Sequence, residues 1–203
     1  MSPDEPLDAQ ALRSALGDRH IGNRIVVLAE ATSTNDVVAQ LAPTSAEGLV
    51  VVAERQTAGR GQYGRRWESA VRKGLWASVL LRPQIAVGES SRLTSLLARV
   101  IVDTIREHVE IPVSIKPPND VYVGARKVAG VLVEMRVESG GGYCAVAGFG
   151  VNVNHAANDF PAELRETAGS LALAAGRFVP RQPLLAALLR NLDRSYNAFG
   201  IEA

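Results

Sequence analysis

Apolar residues follow two different periods along this chain, and together these periods predict a sheet with helices packed on it. Short apolar runs bounded by glycine, proline and other turn-forming residues are typical of strands. The segment Ser90–His108 instead repeats apolar residues at every third or fourth position, which indicates an amphipathic helix. Strands in succession flanked by helices favour a mixed sheet within one α/β domain. The predicted strands are Arg24–Ala29, Leu49–Ala53, Leu75–Leu81, Val113–Lys116, Asp120–Val123, Lys127–Val137 and Tyr143–Val153.

Three more helices and two hairpin turns complete the predicted organisation. The helices are Leu7–Leu16, a segment capped by Thr32 or Ser33 that ends at Leu41, and Leu184–Phe199. The predicted turns are Gly124-Ala125 and Ser139–Gly142.

Composition narrows the class of protein. The chain has 203 residues, of which 47% are apolar, and a chain of this length buries about 70% of its unfolded surface. A net charge of +1 argues against a dedicated nucleic-acid-binding protein, which usually carries a basic excess. No apolar stretch is long enough for a membrane span, the first residues do not resemble a signal peptide, and the single Cys144 allows no internal disulfide. The composition predicts a soluble cytoplasmic protein.

The segment Gln56–Trp67 combines three glycines with three arginines directly after a predicted strand. Glycine lets a backbone approach a ligand closely, and arginine matches phosphate and carboxylate oxygens. The segment therefore predicts a loop that closes over a small anion or lies on a polyanion. It contains G-x-G-x-x-G, but a dinucleotide-binding loop needs a helix directly after it, and here the strand Leu75–Leu81 follows.

Two basic segments further along have both a functional and an ordinary interpretation. Lys116 precedes two prolines, and the first of them favours extended backbone at Lys116, so this residue is predicted to end a strand. A surface turn with a solvated lysine is the alternative. Arg126 and Lys127 stand at the start of the next long strand. They either contribute to a binding site or simply form the basic, solvent-exposed start of an ordinary strand.

Small and amide-bearing residues suggest a flat binding slot. Period-two alternation places Asn152 and Asn154 on the face shared with Gly148 and Gly150. Small residues beside amides suit a planar ring, although an edge strand with glycines has the same pattern. The polar segment Ala31–Asn35 suits hydrogen bonding to a ligand or, equally, the cap of a helix.

Taken together and in this order, these segments resemble the biotin protein ligases. The resemblance extends from about Arg24 to Asn154 and is weaker in the C-terminal helices. It implies the catalytic domain of the biotin/lipoate ligase superfamily, a largely antiparallel sheet with helices similar to class II aminoacyl-tRNA synthetases. The segments that carry it are Ser33-Thr34-Asn35, the loop Gly59–Trp67, Lys116–Asp120, Lys127–Glu134 and Gly148–Asn152.

The resemblance implies a biotin–[biotin carboxyl carrier protein] ligase. Such an enzyme joins biotin and ATP to form biotinyl-5′-AMP and pyrophosphate, and then transfers biotin to a lysine of a biotin carboxyl carrier protein. Mg²⁺ is expected with ATP because it bridges phosphate oxygens. The expected protein is a monomer or weak homodimer that binds neither DNA nor membrane.

The resemblance also implies a role for each matching residue. Arg60 is expected to draw the biotin carboxylate and the α-phosphate together, and Lys116 to stabilise the charge that develops there. The metal ligands stay open, with Asp120 as a candidate. The residues expected to bind biotin are Ser33, Thr34, Asn35, Gln56, Gly59, Arg60, Gly61, Gln62, Lys116 and Gly130. The residues expected to bind ATP or the adenylate are Arg60, Arg65, Trp67, Asn119, Lys127 and Asn152.

Two residues depart from the family pattern. Pro117 stands where the family has a tryptophan, and Gln62 stands where some members have a second arginine, which weakens the positive charge over the adenylate. Residues 1–203 are expected to form a single catalytic domain, with no N-terminal helix-turn-helix domain and no evident C-terminal β-barrel domain.

Three alternatives remain at this point. A lipoate or octanoate ligase of the same superfamily would need a longer apolar tunnel than the polar Ser33–Asn35 segment favours. An inactive biotin-binding relative is suggested by Pro117 and by the lack of a C-terminal domain. A nucleic-acid-binding module is suggested by the basic loop and opposed by the near-zero net charge.

Overall fold

A seven-stranded sheet with helices on both faces forms the centre of the protein, of which the computed structural model describes residues 5–138 and 140–199. The strands are β1 (Arg24–Leu28), β2 (Leu49–Ala53), β3 (Gly74–Leu81), β4 (Ser114–Lys116), β5 (Asp120–Val123), β6 (Arg126–Val137) and β7 (Tyr143–Asn152). The helices are α1 (Ala9–Leu16), α2 (Thr34–Leu41), α3 (Ser90–Val109), α4 (Leu171–Ala175) and α5 (Arg181–Phe199). The strand order is β1-β2-β3-β7-β6-β5-β4; β1 and β2 pair in parallel, and every other neighbouring pair is antiparallel. The predicted mixed, largely antiparallel sheet is confirmed.

The two faces of the sheet are covered unequally. Helices α3 and α5 pack together over one face, where alternate strand residues such as Ala77 and Val79 join the larger apolar core. The shorter α2 covers part of the other face, where Leu80, Val51 and Val146 form a smaller apolar cluster. Because α2 is short, other segments, among them the loop that ends at Trp67, cover the rest of this face.

Most predicted boundaries agree with the structure within one or two residues, and the exceptions have local causes. Helix α5 begins at Arg181 rather than Leu184, because Pro183 falls in the first turn, where no helical N–H is needed. The sequence of the C-terminal third predicts helix, but the segment between β7 and α4 contains two short 3₁₀ turns. Of the two predicted turns, Gly124-Ala125 joins β5 to β6. In the other, Ser139–Gly142, residue 139 lies outside the described residues.

The next features are the apolar character of the helices and the environment of the single cysteine. Within residues 5–138 and 140–199, no helix has both the length and the apolar character needed to cross a bilayer. Cys144 is a buried thiol in the smaller apolar cluster, and burial raises its pKa.

His155 is enclosed by aromatic rings next to the end of β7. Its ring stacks on Phe160 at 4.8 Å between centroids and meets Trp76 edge-on at 5.8 Å. Burial lowers the pKa of His155 from 6.5 to about 4. The unfolded chain therefore takes up a proton before the folded protein does as the pH falls.

This enclosure predicts an acid-sensitive contribution to stability. The contribution of His155 is complete above pH 6.5 and is lost between pH 6.5 and about 4, with a loss of about 2 kcal/mol at pH 5. Urea unfolding of wild type and His155→Phe at pH 7.5 and 5 measures it as the difference between the two pH dependences. The exposed His108 serves as control, and His108→Gln should keep the wild-type pH dependence; equal pH dependence in His155→Phe would contradict the assignment.

Candidate functional site

Glycines on two neighbouring strands leave a hollow on the face of the sheet that α2 partly covers. Gly130 of β6 lies opposite Gly150 of β7, and Gly148 lies two residues along β7 on the same face. A Cβ atom at Gly148 would lie 2.1 Å from Asn35 Oδ1, and one at Gly150 would lie 2.7 Å from the Trp67 ring. The slot suggested by the glycine spacing is present, and side chains of this chain line it.

A continuous chain of polar side chains closes one end of this hollow. The Thr34 backbone N–H donates to Gln56 Oε1 at 2.7 Å, and Thr34 Oγ1 lies 2.7 Å from Ser78 Oγ. Ser78 Oγ donates to Asn35 Oδ1 at 2.6 Å, and Asn35 Nδ2 donates to Glu134 Oε2 at 2.7 Å. Ser33, Thr34 and Asn35 are brought here by the first turn of α2 and its N-cap.

The Gly59–Trp67 loop folds back on itself beside the hollow. Arg60 and Arg66 pair as in an antiparallel ladder, and the Trp67 N–H donates to the Gly59 carbonyl at 2.9 Å. A Cβ atom at Gly59 would lie 2.7 Å from the Trp67 carbonyl oxygen, so glycine permits this close approach. Tyr63 at the tip has a left-handed φ of 59° and is 88% exposed.

Arg60 is held by two carboxylates. Its guanidinium makes two hydrogen bonds of 2.8 Å to Asp36 and longer contacts of 3.3–3.4 Å to Glu134. The hydrogen bonds raise the pKa of Arg60 and lower the pKa of Asp36. The cation expected to draw two anions together is therefore already paired, and the group carries more negative than positive charge.

Trp67 and Lys127 form the boundary between the hollow and its surroundings. Lys127 Nζ lies 5.2 Å from the centre of the Trp67 ring and 2.6 Å from Asp120 Oδ1. Trp67 meets Trp76 edge-on at 6.2 Å, and its buried Nε1 has no hydrogen-bond partner among the described residues.

Two cavities meet at Trp67 and Lys127. The first, of about 40 Å³, lies in the hollow, and the second, of about 290 Å³, adjoins it and shares part of its lining. Both are lined by Gly61, Gln62, Trp67, Asn119 and Lys127. The first is also lined by Ser33, Thr34, Asn35, Gln56, Arg60 and Gly130, and the second by Arg65, Asp120 and Asn152.

The amides at the second cavity are anchored to the backbone. Asn119 and Asn152 each donate through Nδ2 to a buried backbone carbonyl, at 3.1 and 3.0 Å. Asn154 lies beyond the end of β7, where its side chain exchanges two hydrogen bonds with the backbone of residue 179. The expectation that Asn154 shares the strand face with Asn152 is not met, because the strand ends first.

Lys116 is not brought together with the other predicted residues. It lies on the short edge strand β4, exposed to solvent, with Nζ 5.6 Å from the ring centre of Tyr122. It lines neither cavity, whereas Tyr122 lines the second. In this structure Lys127, rather than Lys116, is the lysine next to both cavities.

Three residues of the polar chain and of the Arg60 ion pairs were not proposed from the sequence. Ser78 is a single polar residue within an apolar run, a signal that could have identified it. Glu134 and Asp36 had no such signal, because a carboxylate on an exposed helix or strand face is common. Their roles depend on Arg60, which reaches them from a distant part of the chain.

The carboxylates near the second cavity are few. Among residues 5–138 and 140–199, no cluster of three or more His, Cys, Asp or Glu side chains is arranged to hold a metal. Asp120 and Glu68 both line this cavity, and each is already paired with a cation, Lys127 and Arg66 respectively.

Known proteins are similar to this chain in sequence and in fold. The family described as biotin/lipoate A/B protein ligase matches residues 27–152. The chain is 36% identical to the bifunctional ligase/repressor BirA of Bacillus subtilis, over 95% of this chain and 60% of that protein. It is 34% identical to the biotin–[acetyl-CoA-carboxylase] ligase of Mycobacterium tuberculosis, over 93% of this chain and 70% of that protein.

A solved structure of similar fold is the biotin protein ligase from Aquifex aeolicus in complex with biotin and ATP. Its TM-score is 0.78 at 31% identity, covering 89% of this chain and 73% of that chain. The present chain thus spans about three fifths of the length of the Bacillus relative and about three quarters of the Aquifex chain.

Proposed function

Because the chain belongs to the biotin/lipoate A/B protein ligase family, we propose that it is a biotin protein ligase. In this proposal it forms biotinyl-5′-AMP and pyrophosphate from biotin and ATP, and then transfers biotin to a lysine of a biotin carboxyl carrier protein. The observation that carries the proposal is the meeting of two cavities at Lys127 and Trp67, one ending in a polar chain and the other open.

The first cavity suits the ring system of biotin. The ring urea is uncharged, flat and able to donate and accept hydrogen bonds, as are Thr34 and Gln56 at the end of the hollow. A volume of about 40 Å³ is well below the roughly 300 Å³ of a typical ligand pocket, so biotin binding requires the loop to move. The unpaired Nε1 of Trp67 supports this movement, because that indole gives up no hydrogen bond when it shifts.

The second cavity suits ATP. Its volume is close to that of ordinary ligand pockets, and Arg65 and Lys127 supply positive charge for phosphates. Asn152 and Trp67 would bind the adenine side, as the family resemblance implies. Mg²⁺ fits this donor set, since it needs only one or two carboxylates besides phosphate oxygens; Asp120 and Glu68 would hold it. When bound, the ion supplies neutralisation of phosphate charge.

In the first step, a carboxylate oxygen of biotin attacks the α-phosphorus of ATP and the bond to the β-phosphate breaks. Two anions must approach each other, so a cation between them lowers the barrier. We assign this role to Lys127, which borders both cavities. Arg60 would contribute by exchanging its longer contact to Glu134 for the biotin carboxylate, while its shorter bonds to Asp36 are kept.

In the second step, the neutral amine of a carrier lysine attacks the acyl carbon of biotinyl-5′-AMP. AMP leaves with the bonding electrons, and the amine loses a proton as the amide forms. The carboxylate-rich environment of Arg60 would favour the approach of this lysine as a cation, which must give up a proton to solvent before the neutral amine attacks.

A direct assay tests the proposed function. The purified chain is incubated with biotin, MgATP and a biotin carboxyl carrier domain, and pyrophosphate release and carrier labelling are measured. We expect both to depend on biotin. Tight biotin binding without pyrophosphate release would identify an inactive relative, and absence of both would contradict the proposal.

The same assay separates a lipoate or octanoate ligase from a biotin ligase. The polar chain at the end of the hollow would leave buried hydrogen-bonding groups unpaired against a fatty acyl chain, which costs affinity. We therefore expect biotin to be activated and lipoate and octanoate not to compete with it. Effective competition by lipoate would favour the other branch of the family.

Gly148→Ala is expected to impair biotin binding. The added Cβ atom would lie 2.1 Å from Asn35 Oδ1, so Asn35 must leave Ser78 and the polar chain breaks. We expect the Kd for biotin, measured by titration calorimetry, to rise at least about tenfold, which corresponds to about 1.4 kcal/mol. Gly88→Ala is the matched control, because nothing lies within 4 Å of a Cβ atom there. An unchanged Kd in Gly148→Ala would remove this end of the hollow from the biotin site.

A further inference from the structure

Ser78 is a fully buried hydroxyl in the middle of β3. Its neighbours in the strand alternate between the larger core and the α2 face, and Ser78 faces α2. Both of its hydrogen-bond partners, Thr34 and Asn35, belong to the first turn of α2 and line the first cavity. Ser78 itself does not line that cavity.

The direction of each hydrogen bond along the polar chain follows from its ends. The Glu134 carboxylate accepts, so Asn35 must turn its Nδ2 group towards Glu134 and its Oδ1 towards Ser78. Asn35 Oδ1 accepts the single proton of Ser78, at 2.6 Å. In the 2.7 Å contact between the two hydroxyls, Thr34 must therefore be the donor and Ser78 the acceptor.

The hydrogen bonds along the polar chain leave specific groups of Thr34 and Gln56 for a ligand. Thr34 has only one hydroxyl proton, which Ser78 and Gln56 Oε1 both compete for, at 2.7 and 3.1 Å. Only lone pairs of Thr34 Oγ1 are then available to the cavity. Because Gln56 Oε1 already accepts from the Thr34 backbone N–H, the Nε2 group of Gln56 is its free end, and that group is a donor.

We propose that Ser78 is a positioning residue that sets ligand specificity by fixing Thr34 as a hydrogen-bond acceptor. The site then selects a flat group in which an N–H lies beside a carbonyl oxygen, with the N–H donated to Thr34. This rests on the proposed function, for which the group is the ring urea of biotin. A ring in which oxygen replaces that N–H would set two acceptors against each other and bind poorly.

The test compares biotin with its cyclic carbamate analogue, in which one ring N–H is replaced by oxygen. Biotin- or analogue-dependent pyrophosphate release gives kcat/KM for each ligand in wild type, Ser78→Ala and Ser78→Cys. In Ser78→Ala the Thr34 proton loses its nearer acceptor and keeps only the longer contact to Gln56 Oε1 at 3.1 Å, so it can turn towards the ligand. We expect the preference for biotin over the carbamate to fall about tenfold, with KM for biotin raised and KM for ATP unchanged. Ser78→Cys keeps a similar volume and a weak S–H donor, so its preference for biotin should lie between those of wild type and Ser78→Ala. If Ser78→Ala does not fold, Ser78→Cys still tests the role of Ser78.

Coupling to Thr34 distinguishes positioning from a loss of stability alone. In a Thr34→Val background, Ser78→Ala should change the biotin-to-carbamate preference no further. Thr104→Val removes a buried hydroxyl in α3, far from the site, and should leave the preference at its wild-type value.

The outcomes separate this assignment from the proposed function. No biotin-dependent pyrophosphate release in wild type would overturn both. Normal release in wild type, with an unchanged preference in the folded Ser78 variants, would overturn the role of Ser78 alone.

Discussion

Replacing Lys127 with alanine is expected to slow formation of biotinyl-5′-AMP by about a hundred- to a thousandfold. Lys127 is the lysine that borders both cavities, and a preorganised cation at a reacting centre contributes about this much to the rate. The measurement is biotin-dependent pyrophosphate release at saturating ATP. Biotin binding, followed separately by calorimetry, should weaken much less than the rate falls.

Lys116→Ala is the matched comparison, because the family resemblance implied the catalytic role for Lys116. In the structure Lys116 is exposed on the edge strand and lines neither cavity. We therefore expect its replacement to change the rate by less than about tenfold, as expected for a cation that is screened by solvent. A large loss in Lys116→Ala with near-normal Lys127→Ala would reverse the assignment and require β4 to close over the site.

Replacing Glu54 with alanine is expected to lower the free energy of unfolding by about 3–5 kcal/mol, a large part of the stability of a domain of this size. The side chains of Glu54 and Arg181 are only 6% and 3% exposed, and their ion-pair distance is 2.6 Å. Glu54 also accepts the Leu7 backbone N–H, and Arg181 donates to the Glu5 carbonyl. The pair thus joins β2, the start of α5 and the N-terminal segment.

The cost arises because Arg181 would remain buried without its charge partner. Urea unfolding at pH 7.5 measures it, and Glu30→Ala is the control. Glu30 pairs with Arg55 one residue after Glu54, but both side chains are about half exposed, so the loss there should be less than about 1 kcal/mol. Similar losses in the two variants would show that burial of the Glu54 pair adds nothing to stability.

Much of the fold could be predicted because local pattern and tertiary environment agree. Strands β2 and β3 are buried throughout, so their sequences are apolar runs, broken in β3 only by Ser78, that can be read directly. The glycines of β7, Gly148 and Gly150, likewise indicated a slot, and the structure adds Gly130 of β6 opposite Gly150. The predicted elements agreed least with the structure between β7 and α4, because short 3₁₀ turns give no periodic pattern of apolar residues.

Within the candidate site, residues that share one short segment were easier to predict than those that meet across the fold. Ser33, Thr34 and Asn35 lie together because one turn of α2 holds them. The partners of Arg60 could not be predicted, because Asp36 and Glu134 come from two other elements. The local sequence likewise did not show whether Lys116 or Lys127 lies at the site. Lys116 ends one strand and Lys127 lies at the start of another, so their local patterns are alike.

By itself, the sequence determined the sheet and its helices, the glycine hollow, the Gly59–Trp67 loop and the family to which they belong. The sheet, the hollow and the loop follow from periodicity and from backbone freedom, which are properties of neighbouring residues, whereas the family follows from the resemblance of the motifs. Only the tertiary structure decided that Lys127 borders both cavities, that Arg60 is already paired, and that Ser78 lies within hydrogen-bond distance of Thr34 and Asn35. Those features depend on distances between segments far apart in the chain, and hydrogen bonds and ion pairs exist only where the fold brings both partners together.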